Sequence, residues 1–290
     1  MAHINLRRAE NVSGDFYVDS TCIDCDTCRW MAPEVFYRDG ELSAVYRQPD
    51  SESARLRSLQ ALLACPTSSI GTVEKPSDIK AAQSSFPIPV AENVYHCGYH
   101  AENSYGAASY LIQRSEGNVL VDSPRWAPPL VKRMEEMGGI RYLYLTHRDD
   151  VADHQKFHDH FGCDRILHSD DISSGTRNVE VQLTGSEQFA LDPELLIIPI
   201  PGHSKGHTAL LYKHKFLFSG DHLSWSDKLK QLVAFREVCW YSWPKQIQSM
   251  RKLANYSFEW VLPGHGRRHH ADLETMRGQM QKCIDWMETK

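Results

Sequence analysis

The sequence predicts an α+β protein with a small N-terminal domain and a larger C-terminal one. Three observations predict it. Four cysteines are grouped near the N-terminus, a segment rich in proline and serine follows, and predicted strands and helices then alternate to the C-terminus. We place the small domain at 12–75, a linker at 76–90 and the large domain at 91–290. Mixed strands with interspersed helices fit helices packed outside stacked sheets.

The small domain begins with short strands and ends with one helix. Apolar runs at 16–18, 35–37 and 42–46 predict the strands. Asp50 or Ser51 can cap the helix that follows. Leucines at helical spacing predict its buried stripe: Leu56, Leu59, Leu62 and Leu63. The helix runs directly into Cys65, so it can bring this cysteine to a site formed by the other three.

The spacing of the grouped cysteines predicts a [4Fe–4S] cluster. Cys22, Cys25 and Cys28 have two residues between neighbours, so that one tight loop can place three thiolates around a cubane. Cys65, which precedes a proline, is the remote fourth ligand. A zinc site or disulfides are the alternatives, but zinc sites usually pair two separate Cys-x2-Cys units. The ligands alone also allow a [3Fe–4S] form.

The segments CIDCDTCRWMAPEVF and CPTSSIG resemble a single-cluster bacterial-type ferredoxin over residues 15–75. That resemblance implies a low-potential electron-transfer role. The other cysteines are scattered along the chain, and clustered thiols beside isolated ones indicate metal binding in a reducing compartment.

The large domain is predicted to alternate strands and helices. The predicted strands are 94–97, 110–113, 118–121, 142–145, 165–167, 195–200, 208–212, 216–218 and 260–262. The predicted helices are 130–137, which ends at a Gly-Gly pair, 153–161, 244–253 and one at the C-terminus.

Histidines and aspartates follow several of these strands, often beside glycine. They lie in the segments 146–154, 201–207, 219–222, 263–266 and, more weakly, 121–123. Glycine permits the tight turns that direct such side chains toward a common point. Imidazole and carboxylate ligands together suit zinc, iron or manganese.

The order of these segments resembles the metallo-β-lactamase fold, an αββα sandwich with a one- or two-metal site at one edge, over residues 91–290. The resemblance implies that His203, Asp221 and His265 are metal ligands, with Asp221 between two metals. It places His207 and His222 behind the ligands, where they can orient them.

The first motif departs from the family's His-x-His-x-Asp-His pattern. His147 fits the first position, Asp149 stands where a second histidine is usual, and the Asp-His pair arrives late as Asp153-His154. Asp149 and Asp150 could instead replace that pair through a deletion, so three alignments are open. We favour His147, Asp149, Asp153 and His154, because each metal then keeps a carboxylate and an imidazole. The predicted metal ligands are therefore His147, Asp149, Asp153, His154, His203, Asp221 and His265.

The carboxylate at Asp149 resembles that of flavodiiron proteins, a branch of the family that holds two irons. Hard oxygen ligands favour iron or manganese over zinc, and a hydrolase has no use for an electron relay. The leading hypothesis is an oxidoreductase in which the cluster relays electrons to a dinuclear, iron-containing centre that acts on O₂, a peroxide, NO or an organic substrate. The competing hypotheses are a zinc hydrolase of esters, thioesters or lactones with a structural or regulatory cluster, and an electron-transfer or redox-sensing module.

Charge and hydropathy limit the expected partners. The net charge of −5 gives no electrostatic reason to expect nucleic acid. No apolar run approaches the roughly 18 residues of a membrane span, and the N-terminus lacks the apolar core of a secretory signal. We expect a cytoplasmic protein, or a plastid stromal one in a eukaryote. Its expected partners are a small-molecule substrate and a redox protein.

The residues that line a substrate pocket are harder to predict. Several aromatic residues lie in segments near the expected metal edge, and we interpret them as core or lid packing: Trp126, Trp225, Trp240, Tyr241 and Trp243. Arg125 is given a structural role rather than a substrate contact.

Overall fold

The computed structural model describes residues 2–290. The N-terminal part, called the cluster domain below (residues 16–72), contains two short antiparallel strand pairs, β1 with β4 and β2 with β3, and two helices. Its elements are β1 (Phe16–Val18), α1 (Thr27–Met31), β2 (Phe36–Asp39), β3 (Leu42–Val45), α2 (Glu52–Ala64) and β4 (Ile70–Thr72). The predicted strands and helix are present, whereas α1 and β4 were not predicted because both are very short.

Helix α2 begins and ends where the sequence indicates. The Ser51 hydroxyl accepts a hydrogen bond from the backbone amide of Ala54, and the helix ends at Cys65. Its buried stripe differs from the predicted leucines, since Leu56 is exposed. Small side chains fill most of the buried face instead: Ala54, Ser58, Ala61 and Ala64, together with Leu59. Such side chains let α2 approach its neighbours closely.

The segment predicted to be a linker is part of the fold. It contains α3 (Ile79–Ser84) and β5 (Ile88–Ala91). The Arg55 guanidinium donates to both carboxylate oxygens of Asp78, at 2.6 and 3.0 Å, which fixes α3 against α2. Ala82 and Phe86 are buried. Proline and serine content therefore misidentified a tightly packed connection as a linker.

Two sheets form the rest of the chain. The first continues from β5 with β6 (Val94–His96), β7 (Tyr110–Ile112), β8 (Val119–Val121), β9 (Tyr142–Tyr144), β10 (Asp164–His168) and β11 (Val181–Leu183). The second contains β12 (Phe189–Asp192), β13 (Leu195–Pro199), β14 (Thr208–Tyr212), β15 (Phe216–Gly220), β18 (Trp260–Pro263) and β19 (His269–His270). A separate hairpin, β16 (Ser224–Ser226) and β17 (Gln231–Val233), lies between β15 and β18 in the sequence.

The strand orders are β11-β10-β9-β8-β7-β6-β5 and β12-β13-β14-β15-β18-β19. Alternate residues of both sheets, such as Tyr110 and Phe218, face each other in one apolar layer. The opposite faces are covered by α4 (Pro128–Glu136) and α5 (His154–Phe161) on the first sheet, and by α6 (Trp243–Leu253) and α7 (Leu273–Glu288) on the second. This αββα layering confirms the predicted fold class. No helix within residues 2–290 is long and apolar enough to cross a membrane.

The pairing of the strands brings the polar segments to one edge of the sandwich. Strands β8 and β9 are parallel, and so are β15 and β18. Parallel neighbours have their carboxyl ends at the same edge, so the residues that follow them lie close together. The cluster domain shares its apolar core with the outer face of the first sheet.

The central apolar layer predicts a stability difference between two phenylalanines. Phe218 is fully buried and lies edge-on to Tyr110, with ring centroids 5.5 Å apart. Phe218→Ala should lower the free energy of unfolding by about 3–5 kcal/mol, because contacts are lost and a cavity remains. Phe189→Ala, at an exposed ring of the second sheet, should change it by less than about 1 kcal/mol. Urea unfolding followed by circular dichroism measures both; equal losses would contradict the two-layer core.

Candidate metal centres

Four cysteines of the cluster domain line one cavity. Cys22 and Cys25 lie on the loop before α1, Cys28 is within α1, and Cys65 ends α2. All four are free thiols. The loop can wrap around a ligand because Asp24 and Asp26 adopt left-handed backbone conformations, with φ of 59° and 66°. The predicted cluster residues thus converge on a common space.

The grouping of four free thiols around one cavity fits a [4Fe–4S] cluster, because each of its four irons takes one cysteine ligand.

Hydrogen-bond donors surround the sulfur atoms. The backbone amide of Ser69 lies 3.3 Å from Cys65 Sγ, and the Thr27 hydroxyl lies 3.4 Å from Cys25 Sγ. Burial raises the pKa of the Cys25 thiol to about 11, while hydrogen bonds from Thr27 act in the opposite direction. These donors suit thiolates that iron keeps deprotonated.

The second candidate site lies where the loops after β9, β13, β15 and β18 meet. His147 and Asp149 follow β9, His203 follows β13, Asp221 follows β15 and His265 follows β18. Both His147 and His203 are buried, whereas the Asp149 side chain is 44% exposed. The site is therefore open to solvent on the Asp149 side.

Ligand atoms of four residues lie close to one another in this site. His147 Nε2 and His203 Nε2 each lie 3.8 Å from Asp221 Oδ2. Their distances to Asp149 Oδ2 are 3.8 and 3.6 Å. A tetrahedral ion bound at about 2.1 Å holds its ligand atoms about 3.4 Å apart. Both imidazole nitrogens are buried without a hydrogen-bond partner among the described residues, so the four atoms fit a divalent metal.

Asp150 and His265 add a second group of ligand atoms beside the first. A carboxylate oxygen of Asp150 lies within 4.8 Å of ligand atoms of His147 and Asp221. Both Asp150 oxygens are buried, and neither has a hydrogen-bond partner in the described part of the chain. Burial and the charge of Asp221 raise the pKa of Asp150 well above its usual value, so an ionised Asp150 requires a nearby cation. His265 Nδ1 lies 2.7 Å from Asp221 Oδ1. These residues fit a second metal, with Asp221 shared.

Gly264 permits the close approach of these carboxylates. A Cβ atom at this position would lie 2.6 Å from Asp150 Oδ2 and 2.9 Å from Asp221 Oδ1. Any larger residue would therefore push the two side chains out of the site. The glycines of these motifs were predicted to permit tight turns, whereas Gly264 provides space for two carboxylates.

Asp122 and Thr146 orient His147. The Thr146 hydroxyl lies 3.0 Å from both Asp122 Oδ1 and His147 Nδ1. It donates to the carboxylate, so His147 Nδ1 carries the proton and the lone pair of Nε2 faces the site. Burial raises the pKa of Asp122 to about 8, and bound cations would lower it. In the sequence, Asp122 was indicated only weakly, by its place directly after a strand.

Asp171 holds the first two loops together. Its carboxylate accepts hydrogen bonds from the backbone amides of Arg148 and Gly206, at 3.2 and 2.7 Å, and from the Ser204 hydroxyl. The loop of His147 is thereby fixed against that of His203. The sequence analysis missed Asp171, because nothing in its spacing distinguishes it from other acidic residues.

Asp153 and His154, predicted as metal ligands, lie outside the site. Asp153 Oδ2 accepts a hydrogen bond from the backbone amide of Trp126 at 2.6 Å. His154 Nδ1 lies 3.3 Å from the Arg165 guanidinium. Helix α5 begins at His154, directly after Asp153. The structure therefore does not bring Asp153 and His154 to the other predicted ligands, whereas Asp150, which the alternative alignment offered, lies beside His147 and Asp221.

His207 and His222 are buried behind the ligands, where the resemblance placed them. His207 Nε2 accepts a hydrogen bond from the backbone amide of Asp221 at 3.2 Å. Its ring stacks on His147, with centroids 4.8 Å apart. His207 thus positions two of the candidate ligands.

The aromatic residues divide into two groups. Trp126, Trp225 and Trp243 pack against neighbouring side chains or helices. Trp240 and Tyr241 are exposed by 60% and 47%. Their backbone amides donate to the His203 carbonyl at 2.9 and 3.0 Å, which holds this backbone against the loop of His203.

One short stretch of chain, called the bridging segment below (residues 104–106), separates the two sites. Gly106 packs on Cys25, since a Cβ atom at Gly106 would lie 2.8 Å from Cys25 Cβ. The Tyr105 hydroxyl donates to the Ile23 carbonyl at 2.5 Å. The Tyr105 ring lies 6.2 Å from the His265 ring, measured between centroids. The bridging segment thus contacts a cluster ligand through Gly106 and lies beside a candidate metal ligand through Tyr105.

The surroundings of His265 raise its pKa. Burial acts in the opposite direction, but the charge and hydrogen bond of Asp221, together with the nearby backbone of Tyr105 and Ser104, raise the pKa of His265 above its usual value. Arg125 joins the two domains nearby, donating to the carbonyls of Cys65 and Leu63 at 2.8 and 2.6 Å. Arg125 therefore has the structural role that we predicted.

Comparison with known families agrees with the cysteine site. Residues 18–72 match the family described as the 4Fe-4S single cluster domain of Ferredoxin I. No curated protein matched the chain.

Solved structures of metallo-β-lactamases resemble the rest of the chain. One from Pontibacter korlensis is 15% identical, with a TM-score of 0.53 over 70% of this chain and 98% of that chain. One from Hirschia baltica is 17% identical, with a TM-score of 0.51 over 69% and 95%. FIM-1 from Pseudomonas aeruginosa, in a mono-zinc form, is 15% identical, with a TM-score of 0.51 over 70% and 95%. At these identities the likeness shows the fold, and it confirms the predicted fusion.

The position of Asp150 predicts how metal content responds to substitution. Asp150→Asn preserves shape but removes the charge, so the protein should lose about one of two metals outside the cluster. His154→Ala, the matched control on the same motif, should lose none, because its ring bonds to Arg165. Metal analysis after desalting measures both. Metal loss in His154→Ala with full content in Asp150→Asn would contradict the assignment.

Proposed function

We propose that this chain, which joins a ferredoxin-type [4Fe–4S] domain to a metallo-β-lactamase fold, is an oxidoreductase in which the cluster supplies electrons to a dinuclear iron centre. The observation that carries the proposal is the bridging segment. It packs on Cys25 on one side and contacts His265 on the other. A cluster with a purely structural purpose would not require this proximity.

The donor set supports iron over zinc. Asp149, Asp150 and Asp221 bring three carboxylates to one site, with imidazoles from His147 and His203. Carboxylate oxygens are hard ligands, and their combined negative charge is balanced by two divalent cations. Zinc sites that catalyse hydrolysis more commonly rely on three histidines, or on two with one carboxylate.

The open side of the site supports a small substrate. Asp149 is partly exposed, while His147 and His203 are buried beneath it. The exposed Trp240 ring lies edge-on to His203, with centroids 6.4 Å apart. When bound, two irons and a cluster supply one-electron chemistry toward O₂, a peroxide, NO or an organic substrate. The electrons come from an external donor, which we propose is a redox partner protein.

A zinc-dependent hydrolase of an ester, thioester or lactone is the second candidate. It is favoured by the likeness to FIM-1 in its mono-zinc form. Water can reach the exposed Asp149 side of the site, and zinc-bound water is a nucleophile at neutral pH. In this case the cluster would be structural or regulatory.

Metal analysis combined with a reductive titration tests the proposal. Protein purified without oxygen should contain about six irons and little zinc. It should take up about three electrons from dithionite, one at the cluster and two at the iron pair. Asp221→Ala, which lacks the shared ligand, should keep about four irons and take up about one electron.

Other results would overturn the oxidoreductase. About four irons with two zincs would favour the hydrolase. Four irons and no other metal would favour an electron-transfer or redox-sensing module. A full complement of six irons that takes up only one electron would also contradict an electron-accepting pair.

A further inference from the structure

We infer that Thr27, oriented by His100, tunes the reduction potential of the [4Fe–4S] cluster through a hydrogen bond to Cys25. His100 belongs to the second domain, so that domain sets a property of the first. The inference does not depend on the second metal site and holds whichever metal that site binds.

Two histidines form a buried pair between the domains. His96 Nε2 and His100 Nε2 lie 2.8 Å apart. Both side chains are buried, and the Trp30 ring of α1 packs edge-on against His96 with centroids 5.0 Å apart. Since solvent does not reach them, the ring nitrogens depend on protein partners. Three of the four nitrogens have a partner, and His96 Nδ1 has none among the described residues.

The Gly106 carbonyl fixes the direction of the hydrogen bonds. It lies 2.7 Å from His100 Nδ1 and can only accept, so Nδ1 carries a proton. Burial lowers the pKa of His100 to about 3, so the ring is neutral and its Nε2 accepts. His96 must then donate from Nε2. The proton positions of both rings follow from one backbone carbonyl.

These hydrogen bonds continue from His100 through Thr27 to Cys25, a ligand of the cluster. His100 Nδ1 also lies 3.0 Å from Thr27 Oγ1, which receives part of this hydrogen bond. The Thr27 hydroxyl proton is therefore directed elsewhere, and Cys25 Sγ lies 3.4 Å away. Thr27 is only 1% exposed, so water cannot readily replace its hydroxyl as a donor. The chain of donors thus ends on a cluster ligand.

A hydrogen bond to a thiolate ligand favours the reduced cluster. Reduction adds one negative charge, part of which resides on the sulfur ligands, and a donor stabilises that charge. The donor from Thr27 should therefore raise the potential of the cluster. His100 is a positioning residue, because it keeps the hydroxyl from pointing back toward Gly106.

Thr27→Val is the direct test, since valine has nearly the same shape and no hydroxyl. At a fixed solution potential, the ratio of reduced to oxidised cluster should fall about tenfold. For a one-electron couple this corresponds to a reduction potential about 59 mV lower. Thr27→Ser should restore the wild-type value. Potentiometric titration followed by electron paramagnetic resonance measures the change in the full-length protein.

The control is Thr21→Val, in the same loop. The Thr21 hydroxyl bonds to Asp19 and Ser69 rather than to a cysteine, so its removal should leave the potential unchanged. Iron and sulfide content and the spectrum of the reduced cluster verify that each variant holds an intact cluster.

The role of His100 is tested separately. His100→Leu should lower the potential by a similar amount, and His100→Asn, which can still donate from a position close to Nδ1, should restore most of it. In His100→Leu, adding Thr27→Val should cause little further change, since both act through one hydrogen bond. An unchanged potential in Thr27→Val, or equal shifts in Thr27→Val and Thr27→Ser, would overturn the inference.

Discussion

The structure depends on the gathering of three carboxylates at one edge of a sandwich. Asp150 is almost fully buried, and both of its oxygens lack a partner within the described chain. Isolated buried charge is strongly destabilising unless a cation or a donor compensates it. The loops nevertheless bring Asp149 and Asp221 close to the same imidazole, that of His147, and Gly264 leaves room for the carboxylates of Asp150 and Asp221. Metal binding is the interaction that makes this edge of the fold favourable.

The second constraint is the shared boundary between the two sites. Gly106, at a φ of 84°, lets the backbone lie directly on Cys25, where any side chain would collide with it. Tyr105 reaches from this point to the cluster loop and to His265. His100 fills the space behind them and donates to the Gly106 carbonyl. Electronic and structural changes at one site therefore have a short path to the other.

The sequence predicted those parts of the sites that depend on local spacing. Cys22, Cys25 and Cys28 share one loop, and His203, Asp221 and His265 each follow a strand in a glycine-containing turn, so pattern alone locates them. The sequence pattern did not predict the features that depend on tertiary packing. Whether His154 faces the metal edge depends on where α5 begins, and on Arg165, a residue of β10. Likewise the proline-rich segment after residue 75 looked like a linker because its anchor, the pairing of Arg55 with Asp78, joins residues distant in the sequence. The contact between Thr27 and His100 was not predicted, because these residues are also distant in the sequence.

The central claim is that a redox-active iron pair lies next to the cluster, across the bridging segment. Electron spin relaxation of the reduced cluster tests it most directly, because a neighbouring paramagnetic centre accelerates relaxation. We predict that the cluster signal of the wild type saturates at higher microwave power than that of Asp221→Ala, whose second site is disrupted. Identical saturation in the two proteins, each with an intact cluster and the wild type with a filled second site, would contradict the account.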